Sequence, residues 1–150
     1  MPFDDILEEL APADRMRILA LADRDVHDDG AVIVEQSVEN HSIFFILDGE
    51  VAVLCSSPTL ENPEANIEVA RLGIGSVVGE MSFLTHSVTS ARVVADGAVT
   101  VLRLSHRKLM DLVGTEPALM ARFYRSLAVT LAHRLTASNE AAAQTSRALD

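Results

Sequence analysis

A chain of 150 residues that is 49% hydrophobic has room for one compact domain with its own core and little more. A net charge of −10 with Lys108 as the single lysine argues against nucleic-acid binding, which needs cations for phosphates, and 4% aromatics without tryptophan argues against a stacking platform for single strands. No apolar run approaches the length of about 18 residues needed to span a membrane. The opening Met1-Pro2-Phe3-Asp4-Asp5 is acidic where a secretory leader is basic, so a cytoplasmic location is expected. Cys55 is the only cysteine, which leaves neither an internal disulfide nor a cysteine-built zinc site.

In chain order, residues 3–24 read as helical. Ile6, Leu7 and Leu10 share one face of a short first helix. Pro12 suits the first turn of a second, on which Met16, Leu19 and Ala20 lie to one side. From 26 to 104 the segments become short and β-branched, broken by Asp28-Asp29-Gly30, Asp48-Gly49, Gly73-Ile74-Gly75 and Asp96-Gly97. Many short antiparallel strands imply a sandwich, jelly roll or barrel. Ala31–Val34 and Ile43–Leu47 read as strands, and Glu50–Leu54 follows the second across a tight Asp48-Gly49 turn. Cys55 to Asn66, with Pro58 and Pro63, reads as a polar hairpin loop, Ile67–Leu72 as its return strand and Val99–Leu104 as the last strand.

Ser105 is a good N-cap for a helix over 106–113, stopped by Gly114. Thr115-Glu116-Pro117 then starts a long helix on which Met120, Phe123, Tyr124, Leu127, Leu131 and Leu135 form a stripe at spacings of three and four. Arg122, Arg125, His133 and Arg134 flank that stripe as a solvated rim. The stripe suits either a homodimer seam along 117–136 or packing onto the strands. Past Thr136 the chain turns to Ala, Ser, Asn and Gln, and 137–150 is expected to fray.

Two stretches carry a family likeness. Phe45-Ile46-Leu47-Asp48-Gly49-Glu50-Val51-Ala52-Val53 resembles the "ILxGxVxV" hairpin of cyclic-nucleotide-binding domains. Gly75-Ser76-Val77-Val78-Gly79-Glu80-Met81-Ser82-Phe83-Leu84 resembles the phosphate-binding cassette of that family, "GxxxGExxLL". The order of parts is also similar, over about residues 3–136. The resemblance implies a mainly β fold with flanking helices: a jelly-roll-like β-roll over 26–104 with its cassette at 75–92. It is nearest to the sensor half of the catabolite-activator family, expected here without the DNA-binding domain, or to the isolated domains attached to kinases and channels.

The resemblance also implies a ligand, cAMP or cGMP, at Gly79, Glu80, Met81, Ser82, Thr89, Ser90 and Ala91. In the family the acid at the place of Glu80 accepts from the ribose 2′-hydroxyl, backbone N–H groups near Ser82 meet the phosphate, and an arginine about ten residues on neutralises it. The start of a short helix near Glu80 suits an anion. The next segment of the family reads "R-[AST]-A-x-V-x-A", and this chain has Thr89-Ser90-Ala91-Arg92-Val93-Val94-Ala95. Thr89 therefore stands at the arginine position. Arg92 is about 10 Å further along a strand and faces the opposite way. Losing a charge-assisted pair worth roughly 1.5–3 kcal/mol per bond predicts cyclic-nucleotide binding weakened by about 10²-fold or more.

The remaining cassette is rich in hydroxyls, at Ser82, Thr85, Ser87, Thr89 and Ser90, with His86 among them. That pattern fits a weakly held cyclic nucleotide, a less charged ligand, or an empty loop. The five histidines (27, 41, 86, 106, 133) have no i, i+4 or HxH pairing and read as scattered surface residues, with no metal site and no cofactor expected. No nucleophile elbow, Walker loop or HExxH is present, so a non-enzymatic regulatory module is expected. The alternative is a ligand-independent dimerising or partner-docking scaffold on the same fold.

Overall fold

The computed structural model describes residues 7–149. Ile6 and the rest of 3–6, where the first helix was expected to begin, lie outside them. Leu7 to Leu10 form a turn rather than a helix, closed by the Leu10 N–H donating to the Leu7 carbonyl at 2.9 Å. Leu7 and Leu10 are nevertheless buried. The helix expected at Pro12 forms as α1 (Pro12–Leu19), but its buried residues are Ile18 and Leu19 while Met16 and Ala20 face solvent. Only the C-terminal end of this short helix meets the core.

The helical reading to 24 gives way earlier than expected, at β1 (Asp23–His27). Its acids explain why: cross-strand charge pairs favour an extended partner. Asp25 accepts from Arg103 Nε at 2.7 Å and Asp23 lies 3.7 Å from the same guanidinium, while Lys108, beyond the partner strand, donates its Nζ to Asp23 at 3.1 Å. The remaining strands are β2 (Val32–Val34), β3 (Ser42–Ser56), β4 (Asn66–Leu72), β5 (Val77–Val78) and β6 (Arg92–Ser105). All pair antiparallel in one six-stranded sheet ordered β1-β6-β3-β4, with β2 on β6 and β5 on β3. The sheet is a β-roll that does not close.

Asp48-Gly49 is not a hairpin turn. β3 runs straight through it, and so does β6 through Asp96-Gly97. The register between them slips at this point, from Glu50↔Asp96 to Asp48↔Thr100, an irregularity of the β-bulge kind. Gly49 has φ +92°, and a Cβ there would stand 2.5 Å from the Ala98 carbonyl oxygen. The glycine allows a close crossing of two long strands, where the dipeptide alone reads as a reversal.

Alternation along β3 builds two cores from one apolar run. Phe44 and Ile46 point into the roll with Val78, Val93, Val99 and Val101. Ile43 and Phe45 point to the other side, against Leu104, Leu109, Phe123 and Leu127. The helices of that second layer are α2 (Glu80–Thr85), α3 (His106–Thr115) and α4 (Pro117–Leu149). Ser105 caps α3 as expected, accepting from the Lys108 N–H at 3.3 Å, while Gly114 sits inside the helix instead of ending it.

Within the long stripe Met120, Phe123 and Leu127 are buried, joined by Leu119, whereas Tyr124 and Leu135 are exposed. The expected frayed tail is helical instead: α4 continues to Leu149, consistent with the helix preference of Ala141–Ala143. Every residue from 135 to 147 is exposed, so this stretch stands off the body without packing to hold it.

Candidate ligand site

The seven residues expected to bind a ligand meet at one place. Gly79, Glu80, Met81, Ser82, Thr89, Ser90 and Ala91 all line a cavity of about 200 Å³ on the inner face of the roll. Its floor is apolar, made by Val34, Val53, Leu72, Val78 and Val93. Gly79 makes the turn between β5 and α2, with φ +80°, and packs against a neighbouring loop. Asn40 locks that turn by donating to the Ser42 carbonyl at 2.7 Å, the Gly79 carbonyl at 3.3 Å and Ser82 Oγ at 3.2 Å. Asn40 carried no motif in the sequence, and its reach of 39 residues to Gly79 left no local signal.

Glu80 is 5% exposed, a carboxylate almost fully withdrawn from water at the first position of α2. A buried charge needs a partner. It finds one in Arg134 of α4, whose Nη1 donates to Glu80 Oε1 at 2.8 Å while Nη2 donates to the Val77 carbonyl at 2.9 Å. Arg134 lines the cavity with the cassette. Its place on the rim of an apolar helix face showed that it neighbours the stripe, but not what lies across from it.

Of the hydroxyls that the sequence left open to a ligand or to an empty loop, most are spent on the protein itself. Thr89 is 5% exposed, and its hydroxyl donates to the Glu35 carbonyl and accepts from the Val38 N–H at 3.2 Å. Two backbone bonds, Thr89 N–H to Val38 O and Ser37 N–H to Thr89 O, both 2.9 Å, complete its attachment to the loop before β3. Thr89 thus acts as a staple between two loops. Ser82 donates to the Gly79 carbonyl at 3.2 Å, and Thr85 bonds the Met81 carbonyl and Ser87. Ser90 is exposed on the cavity rim.

Arg92 stays outside this cavity. Its Nε donates to Glu35 at 2.7 Å, and that bond, helped by the Gln36 N–H, holds the Glu35 carboxyl below its ordinary pKa. Among the described residues Arg134 is therefore the one cation lining the cavity, and with Glu80 it leaves that lining without net charge.

His86 also lies elsewhere than expected. It lines a neighbouring cavity with His41 and His106, its ring edge-on to His106 with centroids 5.6 Å apart. Among the described residues no three His, Cys, Asp or Glu side chains converge as a metal site, and no helix is long and apolar enough to cross a membrane.

The architecture is an open β-roll whose glycine-turn cassette holds a buried acid, covered by a C-terminal helix. The chain belongs to the cyclic nucleotide-binding domain family, whose sequence profile matches residues 25–116. It is 29% identical over 97 residues to the cAMP-dependent protein kinase type II regulatory subunit of Drosophila melanogaster, covering 65% of this chain and 24% of that protein. It is 37% identical over 91 residues to cyclic GMP-binding protein D of Dictyostelium discoideum, covering 59% of this chain and 7% of that one. The chain thus spans a quarter or less of these relatives. A crystal structure of a cyclic nucleotide-binding domain from Methylobacillus flagellatus has the same fold, with a TM-score of 0.80 at 22% identity over 92% of this chain and 80% of that one.

Proposed function

We propose that this chain is a regulatory module whose roll cavity takes a cyclic nucleotide, cAMP or cGMP, with weak affinity. The observation that carries the reading is the convergence of all seven cassette residues on one cavity around the buried Glu80. The relatives support the ligand class, because one is a subunit of a cAMP-dependent kinase and another a cGMP-binding protein. Weak affinity follows from Thr89, whose hydroxyl is tied to the 35–38 loop and offers a phosphate no charge. A buried acid in a lining without net charge suits binding by hydroxyl donors, and among the described residues that line the cavity none forms a nucleophile–base pair with it.

In this reading residues 1–150 act as one cytoplasmic module. Two copies pair along 117–136 of α4, where Tyr124 and Leu135 leave apolar surface exposed at 36% and 62%. The module works without nucleic acid or membrane. The test is isothermal titration of the chain with cAMP and cGMP, expected to give dissociation constants well above those of a site carrying the arginine. Absence of any heat and of any thermal shift at millimolar nucleotide refutes it. A scaffold without a ligand is the second reading, and the self-satisfied hydroxyls of Thr89 and Ser82 favour it. It predicts pairing along α4 that nucleotide leaves unchanged.

A further inference from the structure

Arg134 occupies the position from which a ligand would be recognised. Its guanidinium bridges the Gly79 turn, holding the Val77 carbonyl on one side and the Glu80 carboxylate on the other. It reaches there from 54 residues further along the chain. Beyond Arg134, every residue of α4 from 135 to 147 is exposed. Among the described residues, the last hydrogen bonds from α4 to the roll and the partner of the buried acid are therefore one and the same contact.

Space and charge both make this contact compete with a ligand. With the guanidinium in place the cavity measures about 200 Å³, below the roughly 300–1,000 Å³ usual for small-molecule sites. Arg134 lines that cavity, so a nucleotide entering it would meet the guanidinium. The hydroxyl donors of the nucleotide must also replace Arg134 at Glu80, since a carboxylate at 5% exposure is strongly disfavoured without a partner. Arg134 itself is 37% exposed and can turn to water when released.

We infer that Arg134 is an autoinhibitory latch: ligand and Arg134 exclude each other at Glu80, so occupancy of the cavity frees α4 from residue 134 onward. The inference rests on the proposed ligand reading for the identity of the competitor, but the latch is also testable alone. The opposite role, a cation that turns from Glu80 to grip the ligand phosphate, predicts the opposite sign.

The experiment compares the wild-type chain with Arg134→Gln and Arg134→Lys by titration with cAMP and cGMP. In parallel, hydrogen exchange of α2 and of residues 127–140 is followed without nucleotide. The latch predicts that R134Q binds nucleotide about tenfold more tightly, within the roughly 5–150-fold range of coupled sites, with R134K in between. It also predicts faster exchange in 127–140 for R134Q, and faster exchange there when nucleotide is added to the wild type. Equal or weaker binding by R134Q overturns competition, and unchanged exchange in R134Q overturns the fastening of α4. If no variant binds either nucleotide while R134Q still loosens α4, the cyclic-nucleotide reading fails and the fastening stands.

Discussion

Replacing Thr89 by arginine exchanges two internal hydrogen bonds for one ligand contact, and both sides of the exchange have a size. The substitution removes the hydroxyl that donates to the Glu35 carbonyl and accepts from the Val38 N–H. Each buried group left without a partner costs about 1–3 kcal/mol. Water reaches this loop, since Ser37 and Val38 are exposed, so the low end applies and the total is about 2 kcal/mol. For a domain of this length that lowers Tm by about 4–8 °C. In return, a guanidinium at position 89 offers a phosphate charge-assisted bonds of about 1.5–3 kcal/mol, which is roughly ten- to 150-fold in affinity.

Thr89→Arg is therefore expected to melt earlier, to bind cAMP at least tenfold more tightly, and to regain part of the lost Tm when nucleotide is added. Differential scanning fluorimetry and calorimetric titration read all three effects. A folded variant with unaltered Tm would refute the stapling role of the hydroxyl. A folded variant with lowered Tm but unimproved binding would refute the placement of residue 89 on the ligand cavity.

Gly79→Ala should destabilise the chain by about 1–3 kcal/mol in urea denaturation, because φ +80° is strained for alanine and its Cβ would lie 2.8 Å from Asn40 Nδ2 and 3.1 Å from the Ser42 carbonyl. Phe123→Ala, at a side chain with no exposed area, should cost about 3–5 kcal/mol in the same assay. Glu35 has a lowered pKa through its bond from Arg92, so its contribution to stability is complete above the unfolded value of about 4.3 and is lost as pH falls through the lower folded value. Thermal melts of Glu35→Gln between pH 6 and 3 (roughly the window that linkage defines) should show a smaller acid loss than wild type, and an identical pH profile would count against the pair.

The fold was legible where local chemistry decides it. Ser105 caps α3, Pro117 starts α4, and the apolar run Ile43–Ile46 supplies both layers of the core by simple alternation. The errors fall where a local signal has more than one use. Asp48-Gly49 is a strong hairpin dipeptide, but here Gly49 serves the approach of β6 and the chain continues straight. The acids of β1 suit a helix end as well as a strand, and only Arg103 and Lys108, far along the chain, decide for the strand. Past 136, small and polar residues suggested loss of structure, whereas alanine permits helix without any packing partner.

In the site, position was legible and bonding state was not. The motif spacing brought Gly79–Ser82 and Thr89–Ala91 to one cavity, because strand and turn geometry fix where those backbones go. Whether a hydroxyl there is available to a ligand depends on what the opposite loop offers it, and the 35–38 loop takes the donor and one acceptor position of Thr89. The same holds for charge. With arginine at 89 the roll would carry its own phosphate partner, independent of the helix. With threonine there, the lining cation comes from α4, and in the structure it already neutralises Glu80. In the latch reading, the affinity of the cavity for an anion then depends on the position of a helix whose residues 135–147 are all exposed, by the physics that makes an exposed segment the easiest to move. That arrangement couples ligand and helix through one side chain. It makes the sign of the Arg134→Gln effect, more than its size, the measurement that separates a latch from a grip.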